Sequence, residues 1–133
     1  MTRSNFRVGL FGVGIFLLFG ACDQESQESE KASLDQEKES ILSFLRTGTC
    51  SEDSECRFIG MGSKACGGPQ EYIVYSASFD TAEVLRLISG YNTMEDAYNR
   101  KWGVASDCSV PPPPDSVRCL NGVCVGYWDG TPR

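Results

Sequence analysis

Cysteine is the residue type with the widest chemical reach in this chain of 133 residues, which has seven cysteines and no histidine. A thiolate can ligate zinc, attack an electrophile or join a second sulfur. Cys50, Cys56, Cys66, Cys108, Cys119 and Cys124 contain no Cys-x-x-Cys pair, the spacing that marks most structural zinc sites. A nucleophilic cysteine needs a base or a thiolate-stabilising environment, and no candidate is legible beside any of the six. The lack of histidine also removes Ser-His-Asp hydrolysis and His-ligated zinc or haem. Disulfide formation is the chemistry that remains, and no metal or cofactor is expected.

Charge narrows the partners. Eighteen acids against twelve bases give a formal net charge of −6, which argues against nucleic acid, since phosphate binding draws on Lys and Arg. Glu52, Asp53 and Glu55 lie between Cys50 and Cys56, but their spacing fits no calcium loop, and a solvated turn is the simpler reading. Hydrolysis by two carboxylates would require a pair among Glu52, Glu71, Glu95 and Asp107 to face one another across a pocket. Lys64-Ala65-Cys66 and Arg118-Cys119 place a base beside a cysteine. This resembles the general design of small serine-protease inhibitors, which present a basic residue on a disulfide-rigidified loop, and it makes Lys64, Ala65 and Arg118 a candidate binding loop. Gly60-Met61-Gly62-Ser63-Lys64-Ala65 matches a phosphate-loop string, but Cys66-Gly67-Gly68-Pro69 follows where a helix should begin, so the match carries no weight.

These residues need a scaffold. Residues 57–59 and 71–76 are rich in aromatic and β-branched side chains and read as strands around a glycine-rich loop. Asp80 followed by Glu83 marks a helix start. Val84, Leu87, Ile88, Tyr91, Met94, Tyr98 and Trp102 then form one apolar stripe, predicting a helix over residues 81–101 that runs through Gly90 and stops at Gly103. Residues 111–114 are four prolines, read as a stiff connector rather than a groove ligand. Asn121-Gly122 between apolar arms is a strong hairpin signal. It would set Cys119 opposite Cys124, which either bond directly or reach elsewhere from one face, since six cysteines allow fifteen pairings. Tyr72, Tyr75, Tyr127 and Trp128 would serve an interaction surface or a core, with core favoured.

Earlier in the chain, residues 23–39 hold seven acids, two lysines and two apolar residues, too little apolar area to offset the entropy of ordering, and read as a disordered tether. Ser33 and Gln36 suggest a capping box, with a helix over residues 34–46 and Leu34, Ile41, Leu42 and Leu45 on one face. At the front, Arg3 and Arg7 precede an apolar run over residues 8–21. Fourteen residues suit a signal-peptide core, whereas a membrane span needs about 20.

That run ends Leu18-Phe19-Gly20-Ala21-Cys22, which resembles the lipobox of bacterial lipoproteins, with Phe19 where the family prefers Leu. The resemblance implies cleavage before Cys22, a diacylglyceryl thioether on its sulfur and an acylated amino terminus, which anchor the protein to a membrane. It leaves six cysteines to pair. The strings CSEDSEC, KACGGPQEYIVYS and CLNGVC look like those of small cysteine-rich bacterial envelope proteins, from which no activity carries over.

The expectation is thus a leader (1–21), a lipidated Cys22 with an acidic tether (22–39), a disulfide-stabilised α+β domain (40–128) and a short tail (129–133). Within the domain, a short antiparallel sheet should pack against one long helix. The expected role is non-enzymatic: binding an envelope protein or glycan, with a protease inhibitor or a small carboxylate-dependent hydrolase as alternatives.

Overall fold

The computed structural model describes residues 21–133, with side chains from residue 26 onward. The apolar leader and the side chain of Cys22 lie outside the described residues. The architecture is a small disulfide-rich α+β domain of two helices and two antiparallel sheets. No helix among the described residues is long and apolar enough to cross a membrane.

Helix α2 spans Thr81–Trp102, capped as its sequence foretells: the Asp80 side chain accepts from the Ala82 amide, and Gly103 closes it at φ 60. Val84, Ile88 and Tyr91 are buried, and Leu87 and Tyr98 pack against the same core. Met94 departs from the expected stripe; at 44% exposure it faces a groove instead.

Helix α1 spans Ala21–Leu45, so the disordered tether expected over residues 22–39 is corrected to a helix continuous with the one expected to begin at Leu34. Low hydrophobicity suggested disorder, but Glu, Gln, Lys and Ala are strong helix formers. The helix also finds support within itself and from afar. Lys31 pairs with Asp35 one turn on, and Leu34 is buried. Glu30 accepts hydrogen bonds from Lys101 Nζ and from Trp102 Nε1, the latter at 2.9 Å. Ser33, read as a cap, lies inside the helix and donates to the Ser29 carbonyl.

The single sheet expected is corrected to two. Strands β1 (Cys56–Met61) and β2 (Glu71–Ser76) form an antiparallel hairpin, with Ile59 opposite Ile73 and Arg57 opposite Tyr75. Alternation sends Ile59, Met61, Ile73 and Tyr75 to the face that joins the helical core. The opposite face, with Cys56, Phe58 and Val74, meets the second sheet: β3 (Ser116–Leu120), β4 (Val123–Trp128) and β5 (Thr131–Pro132). The result is three layers, with the helices and the second sheet on either side of β1 and β2.

Asn121 and Gly122 turn β3 into β4 at φ 52 and 83, as the Asn-Gly signal foretells. The expected tail over residues 129–133 is corrected as well. Asp129 and Gly130 make a second turn of the same kind at φ 50 and 74, and Thr131 pairs with Trp128. The proline run is a packed connector: Pro114 is buried, and the Pro112 carbonyl accepts from Trp128 Nε1 at 3.0 Å.

The two sheets approach closely at Gly126, where a Cβ would stand 2.7 Å from the Trp128 ring and 3.0 Å from Val74 Cγ2. Gly126→Ala is therefore expected to lower stability by about 1–3 kcal/mol through overpacking, read as a shift in denaturant midpoint. An unchanged midpoint would mean that the layers are not packed this way.

Candidate functional site

All six cysteines expected to cross-link do so, as Cys50–Cys119, Cys56–Cys124 and Cys66–Cys108, with Cα separations of 5.9, 5.5 and 5.5 Å. Cys119 and Cys124 face each other across the β3–β4 ladder but bond elsewhere, to the chain before β1 and to β1 itself. The sulfurs of Cys50, Cys56 and Cys124 lie within 4.8 Å of one another, yet all three are oxidised and offer no thiolate to a cation.

The loop between β1 and β2 is held by a polar face of α2 that sequence reading missed. Asn92 Oδ1 accepts from the Gly62 amide at 2.7 Å, and Asn92 Nδ2 donates to the Gly60 carbonyl at 3.3 Å. Glu95 Oε2 accepts from the Ser63 amide at 2.6 Å, and Asn99 Nδ2 donates to the Ser63 carbonyl at 2.6 Å. Residues 92, 95 and 99 follow offsets of three and four, the spacing of one helical face. That periodicity was available in the sequence, but polar residues so spaced normally face water. These bonds also dispose of the phosphate-loop string, because the amides of Gly62 and Ser63 are already taken by side chains of the protein.

Lys64 does not project as an inhibitor tip. Its side chain retains 11% exposure and donates to Asp107 Oδ1 at 2.9 Å and to Ser109 Oγ at 3.4 Å. Ala65 is exposed beside it. Arg118 lies in mid-strand opposite Val125, its guanidinium 5.2 Å from the centre of the Tyr127 ring. The structure does not bring Lys64, Ala65 and Arg118 into one loop, which removes the basic loop tip that the inhibitor reading needs.

The Lys64 ammonium, with Ser109 also donating, holds the Asp107 carboxyl down to about 2 from an ordinary 3.8. A depressed carboxyl favours the paired state above its free value and loses that contribution as pH falls from about 4 to about 2. Asp107 is therefore expected to titrate near 2 by carbon-detected NMR, and to rise toward 3.8 in Lys64→Met. Titration that does not respond to that substitution would contradict the pair.

The four candidate acids have separate partners. Glu52 forms a reciprocal capping box with Glu55 at the 3-10 turn Asp53–Glu55; Glu71 pairs with Lys38; Glu95 holds the Ser63 amide; Asp107 holds Lys64. None of the four lines either cavity described below.

The larger cavity, about 600 Å³, is an open groove between α1 and α2. Leu34 from α1 and Met94, Ala97 and Tyr98 from α2 give it an apolar lining, and Ser33, Glu30, Glu37 and Lys101 complete it. Hydrogen bonds from Lys101 and then Trp102 hold the Glu30 carboxyl below its usual range, so Glu30 stays ionised at the groove. The smaller cavity, about 180 Å³, lies where the end of α1 meets β2 and β4. The groove was hidden from sequence reading because half of it belongs to the stretch read as tether. No protein-family model, curated protein or solved structure matches this chain.

Proposed function

We propose that the protein is an envelope lipoprotein, anchored by lipid at Cys22, whose disulfide-stapled domain is a binding module. Its partner is a protein segment that carries an apolar helical face flanked by basic residues. The observation that supports this most is the α1–α2 groove, about 600 Å³ in size, with Met94 and Ala97 exposed along it and Leu34 and the half-buried Tyr98 forming its floor. A groove between two helices accepts a third helix through apolar anchors. Glu30, Glu37 and Lys101 line it, which leaves an acidic excess after the Glu30–Lys101 pair, and the chain carries a net charge of −6, so attraction favours a basic partner. An acidic α1 whose described part reaches back to Ala21, beside the anchor, supports a short, stiff mounting. Glu30, which bonds Lys101 and Trp102 of α2, stands eight positions after Cys22, roughly 12 Å along the helix.

The test uses an amphipathic peptide of leucine and lysine at helical spacing and its leucine–glutamate counterpart. The lysine peptide is expected to bind at least about tenfold more tightly. Ala97→Trp should abolish the difference by filling the groove, and Ala97 is exposed, so the substitution leaves the core intact. Equal binding of both peptides, or binding unchanged by Ala97→Trp, would refute the reading.

A further inference from the structure

The three bridges are not equivalent. Cys50 and Cys56 retain only 9% and 3% exposure, and their partners are half-buried. Cys66 and Cys108 are both exposed. A Cβ placed on the adjacent Gly67 would meet nothing within 4 Å, so the approach to Cys66 is open. Exposed disulfides are the labile ones, because thiol–disulfide exchange needs access for an attacking thiolate.

The backbone around this bridge is poised to change once it opens. Cys108 is held at φ 58, in the left-handed region that residues with a side chain disfavour. The bridge ties the β1–β2 loop to the chain that leaves α2. On the loop side, Asn92, Glu95 and Asn99 hold Gly62 and Ser63 without help from the bridge. On the other side the ties are few: the Lys64 ammonium to Asp107 and Ser109, and Val110 lying against Gly68.

From this arrangement we infer that Cys66–Cys108 is a reversible redox clip, opened by a dithiol reductant while the fold stays intact. A reductant thiolate attacks Cys66 Sγ; the Cys66–Cys108 bond breaks, a mixed disulfide forms and the Cys108 thiolate leaves. The reductant's second thiol then displaces Cys66. Two electrons pass to the protein, the two cysteine sulfurs take up protons, and the reductant leaves as its own disulfide. Residues 104–110 are released from the loop, and Lys64 gains freedom.

The test uses the full chain with any free thiol blocked beforehand. It is titrated with dithiothreitol, alkylated, and mapped by mass spectrometry alongside far-UV circular dichroism and brief trypsin digestion. Cys66 and Cys108 are expected to label about tenfold faster than the other four, with the dichroism spectrum unchanged. Cleavage after Lys64 should rise in step with that labelling. The double variant Cys66→Ala and Cys108→Ala should show this cleavage without reductant. Labelling of the other bridges at the same or a lower dithiol concentration, loss of dichroism in the same step, or labelling with no gain in cleavage after Lys64 would each overturn the inference.

Discussion

Replacing all four of Cys50, Cys56, Cys119 and Cys124 by alanine is expected to lower the free energy of unfolding by about 7 kcal/mol, while removing either bridge alone costs about 3 kcal/mol. The inequality follows from the interleaving of the two loops. Cys50–Cys119 and Cys56–Cys124 span sequence separations of 69 and 68. In an otherwise open chain, closing such a loop restricts the unfolded state by about 4 kcal/mol. With one bridge already closed, the second closes only a small ring. That ring is made of the short intervals from Cys50 to Cys56 and from Cys119 to Cys124, and its closure is worth about 3 kcal/mol. A loss of about 7 kcal/mol falls within the whole stability of a typical domain, so the fourfold variant should be unfolded at room temperature. Denaturant midpoints of the two double variants, together with the circular dichroism of the fourfold variant without denaturant, decide the matter. A fourfold variant no less stable than either double variant would show that the paired bridges do not hold the second sheet to β1 and the chain before it.

Cys22→Ser is expected to move nearly all of the protein from the membrane pellet to the soluble fraction. The lipid must supply the attraction, because residues 23–39, with seven acids and two lysines, are repelled by anionic headgroups. Each buried methylene contributes about 0.8 kcal/mol; one chain holds a protein marginally, and two or more hold it stably. Fractionation of wild type and variant, with an alkaline carbonate wash of the pellet, gives the readout. A variant that stays in the washed pellet would contradict lipid anchorage at Cys22.

Local signals in the sequence were read correctly where the elements are themselves local. Asp80 and Gly103 bracket α2, Asn121-Gly122 makes its hairpin, and an even set of six cysteines pairs completely. Failures arose where a partner lies far along the chain. The first half of α1 was read as tether because the contact of Glu30 with Lys101 spans 71 residues, and composition carries no trace of it. The pairing of Cys119 and Cys124 turned on which segment lies behind the β3–β4 sheet, which spacing does not encode. Two details were within reach. Asp129-Gly130 is the same kind of turn signal as Asn121-Gly122, but the strand after it is only Thr131–Pro132, too short to register. Asn92, Glu95 and Asn99 keep helical spacing beside the apolar stripe, and only the buried position of Asn99, at 7% exposure, shows that this face points inward.

The most direct measurement is mass spectrometry of the protein extracted from membranes, intact and after non-reducing digestion. The expected result is a chain that begins at Cys22 with a diacylglyceryl group on its sulfur. Its other six cysteines should be fully oxidised and linked 50–119, 56–124 and 66–108. A chain that retains its leader with Cys22 unmodified, or that carries free thiols among Cys50, Cys56, Cys119 and Cys124, would contradict an exported, lipid-anchored, disulfide-held domain.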